Sequence, residues 1–201
     1  MELSDRVIEI FKAIAQVPRQ SKHEAKISAW LADRAKSSGF EVERDDANNV
    51  IIRVPATKGY ENAPIIALQG HMDMVCEKTP TSTHNFDTDP IEVIIEGDWM
   101  HANQTTLGAD DGLGVALALA MAEDPNVEHP RLEIIITSDE ETGMTGAIAL
   151  KPESVQARIL LNLDSEDEGI FTVGCAGGRE TTSTLDLSRA PLVAGSRKVD
   201  I

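Results

Sequence analysis

The apolar positions of this chain follow two rhythms. Val7, Ile8, Ile10, Phe11 and Ile14 recur at helical spacing behind Ser4, an N-cap residue type, which predicts an amphipathic helix ending before Pro18. Ile27, Trp30 and Leu31 form a second helical stripe. Ser21-Lys22-His23-Glu24 in front of it has the form of a capping box, and Gly39 behind it is placed to stop the helix. Shorter runs read as strands. Phe40 to Arg44 pairs with Val50 to Val54 across an Asp/Ala/Asn loop, and Ile91 to Ile95 with Trp99 to Ala102 across Gly97-Asp98, both as hairpins. Ile65 to Gln69, Leu132 to Thr137 and Ile159 to Leu163 are apolar almost throughout, the pattern of strands buried on both faces. Leu113 to Ala122 is apolar nearly all round and reads as a buried helix, and a short helical stretch is expected near Thr145 to Leu150. The prediction is an α/β domain, a mixed, mostly parallel sheet with helices on both faces. Past Gly178 a polar strand is expected from Glu180 to Leu187, then a loop that reads as an exit from the domain.

Groups that bind divalent metals stand where several of these apolar runs stop. His71 and Asp73 lie in GHMDMV, Glu140 and Glu141 in TSDEETG, Asp164 in LNLDSE, and Asp110 and Asp111 in GADDG just before the buried helix. Open α/β sheets bind ligands outside the carboxyl ends of their strands, so residues scattered along the sequence can converge there. Residues two apart in extended chain point to one side, so His71 can ligate a metal while Asp73 holds its other ring nitrogen. The paired acids at 110–111 and the run Asp139-Glu140-Glu141 would repel one another in a dry pocket unless a cation offset them. One glutamate can then ligate while its neighbour handles the proton of an attacking water. Each fragment alone has a plainer reading as a core histidine, a helix cap or a turn acid. Together they make metal-dependent hydrolysis the leading reading, with the choice within each acidic pair open.

Composition narrows the alternatives. Of 201 residues, 34 are acidic and 18 basic; the formal charge of -16 argues against binding a phosphate backbone, so nucleic acid is not an expected partner. Aromatics make up only 3%, which leaves Ile, Val, Leu and Ala to build the core. The first segment lacks the basic start and unbroken apolar stretch of a secretory signal, and no run is long enough to span a membrane, so a cytoplasmic protein is expected. Cys76 and Cys175 lack the spacing of a structural zinc site and read as reduced thiols. No Gly-x-Ser-x-Gly elbow or Walker motif is present, and Gly112-Leu113-Gly114 has Leu117 where a dinucleotide loop needs a third glycine. His23, His101 and His129 read as surface or packing residues, with His84 kept as a candidate for substrate contact.

With GHMDMV, TLGADDG, DEETGM, LNLDSEDEG and GCAGG in that order, the chain resembles the M20 metallopeptidase family and, within it, the Xaa-His dipeptidase branch. Gly112, where many relatives outside that branch carry Lys, favours this branch. The resemblance implies two zinc ions, with cobalt or manganese as substitutes: His71 and Asp164 would ligate one, Glu141 the other, and Asp110 would bridge them. It further implies that Asp73 orients His71, that Glu140 is the general base, and that the peptide bond after Asp110 is cis. The implied activity is hydrolysis of small peptides of the Xaa-His type by a metal-activated water. Two alternatives stand beside it: another M20-type aminopeptidase or N-acyl-amino-acid deacylase, and a metal-binding fragment without turnover. Relatives carry a lid domain, a final histidine ligand and a homodimer contact beyond the stretch matched here. Residues 1–201 are therefore expected to be the N-terminal part of a catalytic domain.

Overall fold

The computed structural model describes residues 2–165, 169–174, 177, 181–186, 195 and 197. The chain divides into one unit up to Glu166 and a second from Asp167 onward. In the second unit, residues 169–174 and 181–186 carry no helix or strand. The polar strand expected there is thus absent over 181–186; its two ends, like Cys175, lie outside the described residues.

The first unit opens with α1 (Leu3–Ile14) and α2 (Ala25–Ser37). Extended Glu2, rather than Ser4, is the N-cap of α1, so the helix begins before the position expected from residue type. Gly39, at a φ of 83° that favours glycine, ends α2 as expected. The hairpin β1 (Glu41–Arg44) and β2 (Val50–Val54) follows, its turn held by Asp45 Oδ1, which accepts the N–H groups of Ala47 and Asn49 at 2.9 Å each. Then come β3 (Ile66–His71), a separate hairpin of β4 (Val93–Glu96) and β5 (Trp99–Ala102), and α3 (Ala109–Glu123). The chain continues through β6 (Leu132–Thr137), the single turn α4 (Glu140–Gly143), α5 (Thr145–Ala149), a 3-10 turn at Pro152–Ser154, and β7 (Ile159–Asn162).

The main sheet has the order β1-β2-β6-β3-β7. β3 is parallel to both β6 and β7, while β2 runs antiparallel to its neighbours β1 and β6. One face packs on α1, α2 and α3, where Phe11, Ile14, Leu31, Leu119, Ile52, Ile134 and Ile136 are all at most 2% exposed. Full burial of each such side chain stabilises the fold by about 1.5–3 kcal/mol. The other face is lined by α5 and the turn after it: a cavity there is walled by Ile135 and Thr137 of β6 and by Ala147, Leu150 and Val155. Ser154, Gln156 and Ala157 also hydrogen-bond to Glu43, Arg53 and Glu133 of the sheet.

β6 is buried along its whole length. β7 departs from expectation: Ile159, Leu160 and Leu161 are 45%, 54% and 45% exposed, because among the described residues β7 is the outermost strand and has a neighbour on one side only. An apolar run predicts a strand here correctly, but not the cover that would bury it.

Candidate metal centre

Because β3, β6 and β7 are parallel, their carboxyl ends share one edge of the sheet. The register pairs His71 with Thr137 and Gln69 with Asn162, so Asp164, two residues past Asn162, arrives level with His71. His71 Nε2 lies 3.8 Å from Asp164 Oδ2, 3.0 Å from Asp110 Oδ1 and 4.0 Å from Glu140 Oε2. Donor atoms of His71, Asp110 and Glu141 all fall within 4.8 Å of one another, as do those of His71, Glu140 and Asp164. One imidazole nitrogen thus meets carboxylates from three other segments: the start of α3, the start of α4 and the turn after β7.

The opposite ring nitrogen is held from behind. His71 Nδ1 is 3.3 Å from Asp73 Oδ1 and 3.1 Å from the Asp73 carbonyl, with His71 1% and Asp73 0% exposed. The Asp73 carboxylate also accepts the Ser21 hydroxyl at 2.8 Å and the N–H groups of Glu140 and Glu141 at 3.0 and 3.3 Å. One side chain therefore fixes both the ring and the segment that carries the two glutamates. Burial opposes ionisation of Asp73, but hydrogen bonds from His71, the Glu140 N–H and Ser21 outweigh it and hold the carboxyl at about 2. Burial likewise opposes charge on His71, yet Asp73 and Asp110 outweigh it and lift the imidazole to about 9. The acids around the ring favour positive charge at this point.

The neighbours Asp110 and Asp111 diverge. Their peptide bond is cis and both residues are non-helical at the head of α3. The Asp110 side chain, 52% exposed, faces the ring, whereas Asp111 is 3% exposed and accepts the His71 N–H at 3.1 Å. The Asp111 carboxylate occupies the space that a Cβ on Gly70 or Gly114 would need, which accounts for glycine at both positions. Burial pushes its carboxyl up to about 7, with Asp164 and Asp110 adding to the rise.

Burial also raises Glu140 and Glu141, reinforced by Asp164 and Asp73 at the former and by Asp110 at the latter. Two carboxylates within 4.8 Å repel by about 3–4 kcal/mol at an effective dielectric of 20. A divalent cation among these oxygens and one imidazole would reverse that sign, and this donor set fits zinc, cobalt or manganese.

Residues 67–178 match Peptidase family M20/M25/M40. The chain belongs to that family. Across 187 residues it is 47% identical to the cytosol non-specific dipeptidase of Escherichia coli (strain K12), covering 93% of this chain and 39% of that protein. Aminoacylhistidine dipeptidase from Vibrio alginolyticus matches in structure with a TM-score of 0.80 at 42% identity, covering 84% of this chain and 35% of the other. Aminopeptidase PepT from Bacillus cereus ATCC 10987 matches with a TM-score of 0.66 at 30% identity, over 81% of this chain and 44% of that one. The chain spans about two fifths of the length of these relatives.

Within this M20 peptidase fold, several supporting residues escape a reading of the sequence. Ser21 and Glu24 do not form a capping box. Glu24 is itself the N-cap of α2, and its Oε1 accepts the N–H of Lys22 at 2.7 Å and of Asp139 at 2.9 Å, while Ser21 bonds Asp73. Asp139 takes a left-handed conformation and accepts the hydroxyls of Thr142 and Thr145, which steadies α4. Asn49 bridges from the β1–β2 turn to the Ser138 N–H and the Gly146 carbonyl. Asn49 and Asp139 are polar yet at most 2% exposed, a condition that composition does not reveal. The other histidines stand apart from the cluster: His23 pairs with Asp87 and His101 with Glu96 at exposed positions, and His129 is buried against the Pro130 carbonyl. His84 packs edge-on to Phe86 and does not join the donor groups found among the described residues. Cys76 is a free thiol, pushed up to about 11 by burial.

Proposed function

We propose that this chain supplies most of the catalytic centre of a dinuclear metallo-dipeptidase, as the N-terminal part of its catalytic domain, with Xaa-His dipeptides as the substrate class. The observation that carries the reading is His71, whose Nδ1 is fixed by Asp73 while its Nε2 faces Asp110, Glu140 and Asp164. His71 and Asp164 would hold one ion, Glu141 the other, and Asp110 both. Zinc in that set supplies Lewis-acid activation of water and of the peptide carbonyl.

The remaining work falls to the chain's own groups. Glu140, raised by burial and neighbouring acids, is suited to take the proton of the attacking water and to return it to the leaving amine. Asp73 holds His71 in the tautomer that presents Nε2 and, through the two backbone N–H groups, keeps Glu140 and Glu141 at the same mouth. Asp111 stays behind the ring as a backbone anchor.

The Escherichia coli relative is a cytosol dipeptidase, which supports a cytoplasmic setting, and no helix among the described residues is long and apolar enough to cross a membrane. Homodimer formation by the full-length protein belongs to the same proposal. The likeness to aminopeptidase PepT favours one second reading, an aminopeptidase with the same metals and a different pocket. A panel of Xaa-His dipeptides, other dipeptides, tripeptides and N-acyl amino acids, assayed with zinc on the full-length enzyme, separates the two. Preferential cleavage of Xaa-His is expected. Turnover confined to longer peptides or acyl amino acids overturns the dipeptidase reading, and no zinc binding at all overturns the metal centre.

A further inference from the structure

Arg19 has no place in the proposed chemistry, yet it is 2% exposed beneath the centre. A buried guanidinium is costly unless its donors are matched. Here Nη1 donates to the carbonyls of Met72 at 3.0 Å and Asp73 at 3.2 Å, and Nη2 donates to the carbonyl of Gly108, while Nε has no partner among the described residues. The first two carbonyls belong to the loop leaving β3, directly after His71. The third belongs to the loop entering α3, two residues before Asp110. The main chain of Arg19 joins the first of these loops as well, its carbonyl accepting the Met74 N–H at 3.1 Å.

Glycine opens the space on the other loop. A Cβ on Gly108 would strike Nη2, and one on Gly112 would come within 2.7 Å of it and 2.9 Å of Phe11. Asp73, Asp111 and Asp110 face the guanidinium together with the Cys76 thiol, and the carboxylates offset part of the cost of burying it. A planar fork with several fixed donors can tie two loops together; a lysine ammonium acts as a point charge on a flexible stem and cannot reproduce that geometry.

We propose that Arg19 is a positioning residue of the metal centre: its guanidinium clamps loop 71–74 to loop 108–111 and so sets the separation of the His71 and Asp110 donors. The inference rests on the metal reading given above, and its test keeps the two apart. Amide hydrogen exchange followed by mass spectrometry on wild type, Arg19→Met and Arg19→Lys reads the clamp without any metal. Faster exchange in both loops together is expected for Arg19→Met, with β6 unchanged. Unaltered exchange in either loop overturns the clamp.

Cobalt(II) titration followed by its visible absorption then reads the donors. Both variants are expected to lose about tenfold in affinity and to give an altered spectrum. Arg19→Lys with wild-type affinity and spectrum would show that charge alone suffices, and would overturn the proposal. If wild type itself bound no cobalt, the metal reading would fall and the exchange data alone would judge the clamp. Should Arg19→Met not fold, Arg19→Lys and Gly112→Ala, which crowds the same Nη2, carry both measurements. Normal exchange and cobalt binding in both of these would equally overturn it.

Discussion

The two sides of the centre are built differently. Behind His71, Asp73, Asp111, Arg19 and Glu24 are at most 3% exposed and are tied to backbone groups of distant segments. In front, Asp110, Glu140 and Asp164 have side chains 52%, 34% and 32% exposed. Packing therefore fixes the rear in advance. The front consists of like charges gathered at an open mouth, whose mutual repulsion a bound cation would offset. A site of this kind holds its ligand-orienting groups rigid and leaves room for ions and substrate where the chemistry takes place.

The largest test of this contrast is Glu140→Gln in the full-length enzyme. It removes a front group, and turnover should fall about 10²–10⁴-fold while bound zinc, measured by elemental analysis, is unchanged. Asp73→Ala strikes the rear. Taking one partner from a buried charge pair should cost about 3–5 kcal/mol in denaturant unfolding, and zinc affinity should drop about 10–100-fold with it. Chelation acts on the front alone: stripping an ion present at a hundredfold excess over its dissociation constant should remove about 2.7 kcal/mol of stability, read as a lower melting temperature. Gly70→Ala forces a methyl against the Asp111 carboxylate and should destabilise by about 1–3 kcal/mol through overpacking. Smallest of all, Trp99→Ser on the outer hairpin, where the side chain is 79% exposed, should change stability by less than about 0.5 kcal/mol. A rear substitution milder than the chelator would reverse the proposed division.

Much of the front was legible in the sequence. Apolar runs located β3, β6 and β7, parallel pairing brought their ends to one edge, and the acids immediately after them met His71 there. The rear was legible only at Asp73. Ser21 reaches Asp73 across 52 residues, Glu24 reaches Asp139 across 115, and Arg19 reaches Gly108 across 89. Local spacing gave Ser21 and Glu24 a capping role because that pattern is satisfied within one turn of helix, and no local rule indicates that a distant loop will compete for the same oxygens. The burial that the apolar run of β7 predicts fails for a related reason. Composition reports what a strand could bury, whereas its position in the sheet decides what it does bury.

That outermost strand also affects how the protein behaves at the bench. Among the described residues, Ile159, Leu160 and Leu161 sit half-bare along a rim whose main-chain donors and acceptors face away from β3, a template for adhesion between molecules. Polypeptide made as residues 1–201 should become cloudier as it is concentrated, and a lysine introduced on this rim should improve recovery without touching the candidate metal ligands.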